Sequence, residues 1–177
     1  CRRSCAEEPQ RRRSECHARG QAAQLACPLA PYARSDAAHE VLAESRHGLK
    51  SMLFAPELAL ARAWTCWARR DSVGAIRATR EAFRAAERGH QSAIALRAAH
   101  DAVRLGDLRA DALLAVLPVD CTFGRLTSEH ARALTAGDAD GLATVSESWA
   151  ELGFGAASAD AARQAQELVS GGGSERR

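Results

Sequence analysis

The sequence predicts an all-α fold of antiparallel helix pairs stacked as a repeat array, and three observations carry that expectation. Hydrophobic residues make up 46% of the chain but aromatics only 5%, so the core has to be built mainly from alanine, leucine and valine. Alanine is the best helix former and lets helices lie close together, while threonine, isoleucine and tyrosine, which favour strands, are scarce. Apolar positions recur at three- and four-residue spacing between breaks made by Gly, Pro or Asp. Finally, the breaks repeat: Arg70-Asp71, Gly106-Asp107 and Gly137-Asp138 follow one another at intervals near the roughly 34-residue period of a tetratricopeptide repeat. An alanine-rich helix pair cannot bury its face alone, so neighbouring pairs stack. Small residues such as Ala61, Ala75 and Ala82 permit the close approach.

Residues 1–34 contain Pro9, Pro28, Pro31 and the run Arg11-Arg12-Arg13 without a sustained period. They predict a poorly ordered Arg- and Cys-rich segment. The helical-repeat domain is expected over 35–170. Ser35 and Asp36 cap a first helix to about Arg46, ended by Gly48. Pro56 suits the first turn of the next helix, where its missing N–H does no harm. There Leu60, Trp64 and Trp67 share one face at i, i+4, i+7. Asp71-Ser72 opens a third helix, with Val73, Ile76 and Phe83 on a stripe and Thr79, Ala82 and Ala86 beside it, stopped by Gly89. A fourth, from about Gln91 to Leu105, turns Leu96, Ala99 and Val103 inward. Asp107 caps a fifth, which carries Leu113, Leu114 and Leu117 as far as Pro118. Residues 118–124 read as a loop, and a sixth helix covers about Leu126 to Ala136. The seventh carries Leu142, Val145, Trp149 and Leu152, and the eighth runs from about Gly155 to Val169. Gly171-Gly172-Gly173-Ser174 makes 171–177 a flexible tail.

Charge excludes some function classes. With 24 basic and 22 acidic residues and a net charge of +2, the chain lacks the basic excess of a nucleic-acid binder. The Arg run is flanked by Glu7, Glu8 and Glu15 and reads as solvated. No apolar run reaches the roughly 18 residues that span a bilayer, and no apolar stretch follows Cys1-Arg2-Arg3 as in a secretory signal. The expected compartment is the cytoplasm. The missing initiator Met suggests that the chain starts inside a longer product.

The six cysteines are Cys1, Cys5, Cys16, Cys27, Cys66 and Cys121. Cys5, Cys16, His17 and Cys27 lack the C-x2-C pairs of structural zinc sites, so solvated thiols are the preferred reading and no metal is expected. Cys66 and Cys121 read as small core residues.

From Phe54 onward the chain resembles a family. Phe54-Ala55-Pro56-Glu57-Leu58-Ala59-Leu60-Ala61-Arg62-Ala63-Trp64 is similar to the start of a helical stretch in large actinobacterial LuxR-type regulators. So are Ala99-His100-Asp101-Ala102-Val103-Arg104-Leu105-Gly106-Asp107, then His130-Ala131-Arg132-Ala133-Leu134 leading to Gly137-Asp138-Ala139, and Trp149-Ala150-Glu151-Leu152-Gly153. The resemblance covers about Leu53 to Val169. It implies a helical middle segment, as in MalT-like regulators, placed between an ATPase module and a DNA-binding helix-turn-helix. This chain carries neither module: no G-x-x-x-x-G-K-[ST] occurs. Such a segment receives a signal. Its expected partners are other modules of the same regulator or a protein or small-molecule inducer, without direct nucleic-acid contact, membrane contact or cofactor.

Catalytic chemistry finds little support. His100 and Asp101 are adjacent, and adjacent helical residues diverge by about 100°, so they do not face one site. No G-x-S-x-G elbow surrounds Ser72, Ser146 or Ser148, and no H-E-x-x-H occurs. No enzyme is expected. The candidate partner or ligand groove is Trp64, Trp67 and Trp149 together with Arg77, Arg80 and Arg84 of a basic helix stripe that continues to Arg88. A helical metal- or cofactor-binding enzyme, using the Trp face or the N-terminal Cys/His cluster, is the alternative.

Overall fold

The computed structural model describes residues 54–172. Of these, 81% are helical and none lies in a strand. Seven helices pack in adjacent pairs: α1 (Ala55–Ala68), α2 (Ser72–Arg88), α3 (Ser92–Arg104), α4 (Ala110–Leu114), α5 (Thr122–Ala136), α6 (Ala139–Glu151) and α7 (Gly155–Gly172). The chain divides between His90 and Gln91 into two compact units. In the first, α1 packs on α2. In the second, α6 packs on α5 and α7, while α3 touches α4, α5 and α7. The segment 1–34 and the helix expected from Ser35 to Arg46 lie outside the described residues.

Four turns share one hydrogen-bond pattern, which explains the recurring breaks. One or two residues past each helix end the backbone turns left-handed: Arg70 at φ 63°, Gly106 at 84°, Gly137 at 66° and Gly153 at 80°. The N–H that follows reaches five residues back, from Asp71 to Cys66 O at 2.9 Å, Asp107 to Ala102 O at 2.9 Å, Asp138 to Ala133 O at 3.0 Å and Phe154 to Trp149 O at 2.8 Å. This closure satisfies carbonyls that a helix end would otherwise leave unpaired. Glycine adopts the left-handed conformation without steric cost, as at Gly137, whereas Arg70 has to bear it with a side chain.

Two of the turns then launch the next helix identically. Asp71 accepts from the Gly74 N–H at 2.8 Å and Asp138 from the Gly141 N–H at 3.0 Å. A Cβ at Gly141 would overlap the Asp138 carboxylate, so the repeated signal is Asp-x-x-Gly after a left-handed residue. Replacing Asp138 by alanine is expected to cost about 1 kcal/mol, read as a lower thermal midpoint by circular dichroism. An unchanged midpoint would show that the cap is dispensable.

The Gly106-Asp107 turn departs from the pattern. The Asp107 carboxylate accepts from the Arg109 N–H at 2.9 Å, a local Asx turn, and α4 begins only at Ala110 with Arg109 as its N-cap. Asp107 is therefore not the cap expected from the sequence. α5 starts earlier than expected, at Thr122, because the Cys121 sulfur accepts from the Gly124 N–H at 3.3 Å. Cys121 is exposed and is a helix cap instead of a core residue. Val73 is 77% exposed, because at about 100° per residue it points roughly 120–180° away from the buried Ala75, Thr79 and Ala82, and Ile76 is only half-buried. Leu152 closes α6 at the surface.

The cores are made chiefly of small residues. Leu60, Ala61 and Ala63 of α1 and Ala75, Ala82, Phe83 and Ala86 of α2 are buried. Buried threonines are satisfied by their own helices: Thr65 donates to Ala61 O, Thr79 to Ile76 O and Thr127 to Phe123 O, each at 2.8 Å. The second unit centres on Leu126, Val145, Trp149, Ala157 and Ala161.

Candidate functional site

Among the described residues, the second unit brings several chemistry-bearing side chains together. Phe123, Thr127 and His130 fall at i, i+4, i+7 on α5 and so share a face. His100 comes from α3, Trp149 from α6, Gln164 from α7 and Phe154 from the turn before α7. Their rings stack edge-on and tilted: His100 lies 4.7 Å from Phe123 and 4.8 Å from Trp149, and Trp149 lies 5.4 Å from Phe154, between ring centroids. Such arrangements suit the quadrupoles of aromatic rings.

A directed hydrogen-bond chain runs through this cluster. Indole nitrogen can only donate, so Trp149 Nε1–H donates a hydrogen bond to His130 Nδ1 at 3.3 Å. That makes Nδ1 the acceptor and places the ring proton on Nε2, which donates to Gln164 Oε1 at 2.8 Å. The Gln164 amide in turn donates to Val103 O at 2.9 Å and Arg104 O at 3.1 Å. These carbonyls lie at the C-terminus of α3, past its i+4 ladder, and Val103 O also accepts from the Gly106 N–H at 3.0 Å. Beside them Arg104 Nε binds Asp160 at 2.8 Å. Trp149, His130 and Gln164 are buried throughout.

Burial sets the electrostatics of the two imidazoles. His100 is held down to about 3, first by desolvation and then by the positive charge of Arg104, with smaller contributions in the same direction from His130, once protonated, and Arg97. Burial also lowers His130, with Gln164 and Asp160 opposing and Arg104 reinforcing the shift. Both rings are therefore neutral at pH 7. The Cys66 thiol is raised by burial and by Asp71, which disfavours a thiolate nucleophile. Among the described residues no three His, Cys, Asp or Glu side chains group as a metal site would require. Cys5, Cys16, His17 and Cys27 lie outside the described residues.

The residues expected to form one groove are distributed differently. Trp149 is 0% exposed and lines no open surface, because His100, Phe123 and Phe154 close over it. This corrects its placement among groove residues. Trp64 and Trp67 are half-buried on α1 in the first unit, as is Arg80 on α2, while Arg77 and Arg84 are exposed on α2. The polar chain through His130 was missed from sequence. Its only signal there is the i, i+4, i+7 placement of Phe123, Thr127 and His130, which looks like ordinary core periodicity. No family model, curated protein or solved structure matches the chain.

Proposed function

We propose that the chain is a non-catalytic helical segment that receives a signal or a partner within a transcription regulator of the LuxR type. It would act in the cytoplasm, without a cofactor. One observation supports the non-catalytic part most strongly: the His130 imidazole and the Trp149 indole are engaged with each other and, through Gln164, with the end of α3. His130 uses one ring nitrogen for Trp149 and the other for Gln164, which leaves none for a substrate. The regulator part is supported by the ordered blocks from Phe54 to Gly153 and by the repeated left-handed turn before an aspartate. The surface proposed for a partner is then that of α2 where Arg77 and Arg84 are exposed, with Arg80 and the α1 residues Trp64 and Trp67 half-buried.

The coding DNA on both sides tests the regulator reading. An in-frame P-loop upstream and a helix-turn-helix downstream are the expected result. Stop codons close to both ends would overturn it and leave a free-standing helical protein.

A further inference from the structure

Among the described residues the two units carry opposite charge. Residues 54–90 hold seven arginines against four carboxylates, and residues 91–172 hold six arginines against eleven. On one helix of each unit the excess is lined up. Arg77, Arg84 and Arg88 of α2 stand at i, i+7, i+11, and so do Asp140, Glu147 and Glu151 of α6. At about 100° per residue these offsets return to within roughly 20° of the starting direction, so each set forms a straight row. All six side chains are exposed. The rises are the same, about 10 Å and then about 6 Å along the axis. In parallel register Arg77 meets Asp140, Arg84 meets Glu147 and Arg88 meets Glu151.

One neighbouring carboxylate, Glu87, is exposed but points about 80° away from the α2 row. Glu81 lies near the α2 row but is already engaged by Arg62 at 2.9 Å. α6 contains no basic residue, and Thr144, beside its row, turns its hydroxyl back to Asp140 O at 3.1 Å.

We propose that the basic row of α2 docks on the acidic row of α6 from a second copy of this chain, giving a salt-sensitive self-association. Each copy offers both rows, so the contact either closes a dimer by being made twice or propagates head to tail. The proposal goes beyond the regulator reading and stands or falls without it. An acidic segment of an unrelated protein would satisfy α2 alone, but the identical spacing on α6 identifies the occupant as this chain.

Sedimentation velocity of the full chain tests the proposal. Association is expected to weaken by roughly tenfold or more between about 10 mM and about 1 M salt, as the screening length falls from about 30 Å to about 3 Å. A triple variant Arg77→Glu, Arg84→Glu, Arg88→Glu and a triple variant Asp140→Arg, Glu147→Arg, Glu151→Arg should each be monomeric alone. An equimolar mixture should associate again, because every reversed row then meets its complement. A wild-type chain that stays monomeric at low salt overturns the proposal, as does a reversed variant that associates like wild type or a mixture of folded variants that fails to recover. Helical content by circular dichroism confirms that each variant is folded, and the salt response of the wild type decides the matter independently if one is not.

Discussion

Trp149→Ala is expected to lower the stability of the second unit by roughly 3–5 kcal/mol, the usual cost of emptying a large aromatic site. Trp149 is fully buried against Leu126, Val145, Ala157 and Ala161, and its ring also contacts His100, Phe123 and Phe154. These neighbours come from α3, α5 and α7 as well as α6 itself, so local collapse cannot fill the space. A domain typically holds only about 5–15 kcal/mol in total, and the variant should therefore unfold at much lower urea. Trp149→Phe separates packing from hydrogen bonding. It keeps a ring but leaves His130 Nδ1 without its donor, an unsatisfied buried acceptor worth about 1–3 kcal/mol. Urea titration followed by circular dichroism gives both values. A loss under about 1 kcal/mol for Trp149→Ala would rule out Trp149 as the centre of this core.

Acid should destabilise the same unit before its carboxylates are titrated. His100 binds a proton at about 3 in the folded chain and near 6.5 when unfolded. Between those values the unfolded chain holds a proton that the folded chain does not, so stability is complete above about pH 6.5 and falls as the pH is lowered towards 3. The slope is at most about 1.4 kcal/mol per pH unit for one imidazole, or on the order of 2–3 kcal/mol by pH 4.5. His130 adds to the loss in the same direction. Its extra proton would sit on Nδ1 and point at the Trp149 N–H, replacing an acceptor by a second donor. Unfolding free energy measured at pH 7.5, 6 and 4.5 checks this, with His100→Gln expected to flatten the curve above pH 5. A wild-type value independent of pH across that range would mean that the imidazoles are not buried as described.

Several elements were legible in the sequence because their signals are local. Pro56, the Asp71 cap, Gly89 and the Gly137-Asp138 break mark helix ends by backbone chemistry that needs no tertiary context. Leu142, Val145 and Trp149 gave the inward face of α6 from spacing alone. The failures have tertiary or unusual local causes. Val73 reads as part of an apolar stripe with Ile76 and Phe83, yet it stands about 60–80° from both and on the far side of the helix from Ala75 and Ala82, which pack inward. Cys121 was read as core because thiols are usually buried, whereas here its sulfur substitutes for the oxygen of a normal cap. The hydrogen-bond chain from Trp149 to Gln164 joins α5, α6 and α7 and ends on α3, so no window of sequence contains it. His100, beside Asp101, reads from the sequence as a packing or capping residue, and the structure buries it against Phe123 and Trp149; its low proton affinity and that of His130 are products of burial.

Imidazole nitrogen NMR of the ¹⁵N-labelled chain at pH 7 probes most directly whether these groups serve the fold instead of a reaction. His130 should be a neutral ring protonated only at Nε2 at pH 7 and should take up its second proton below the usual imidazole range, and His100 should stay neutral below pH 5. Titration of either ring near pH 6.5, with rapid exchange between tautomers, would place it in contact with water and return it to the candidates for acid–base chemistry.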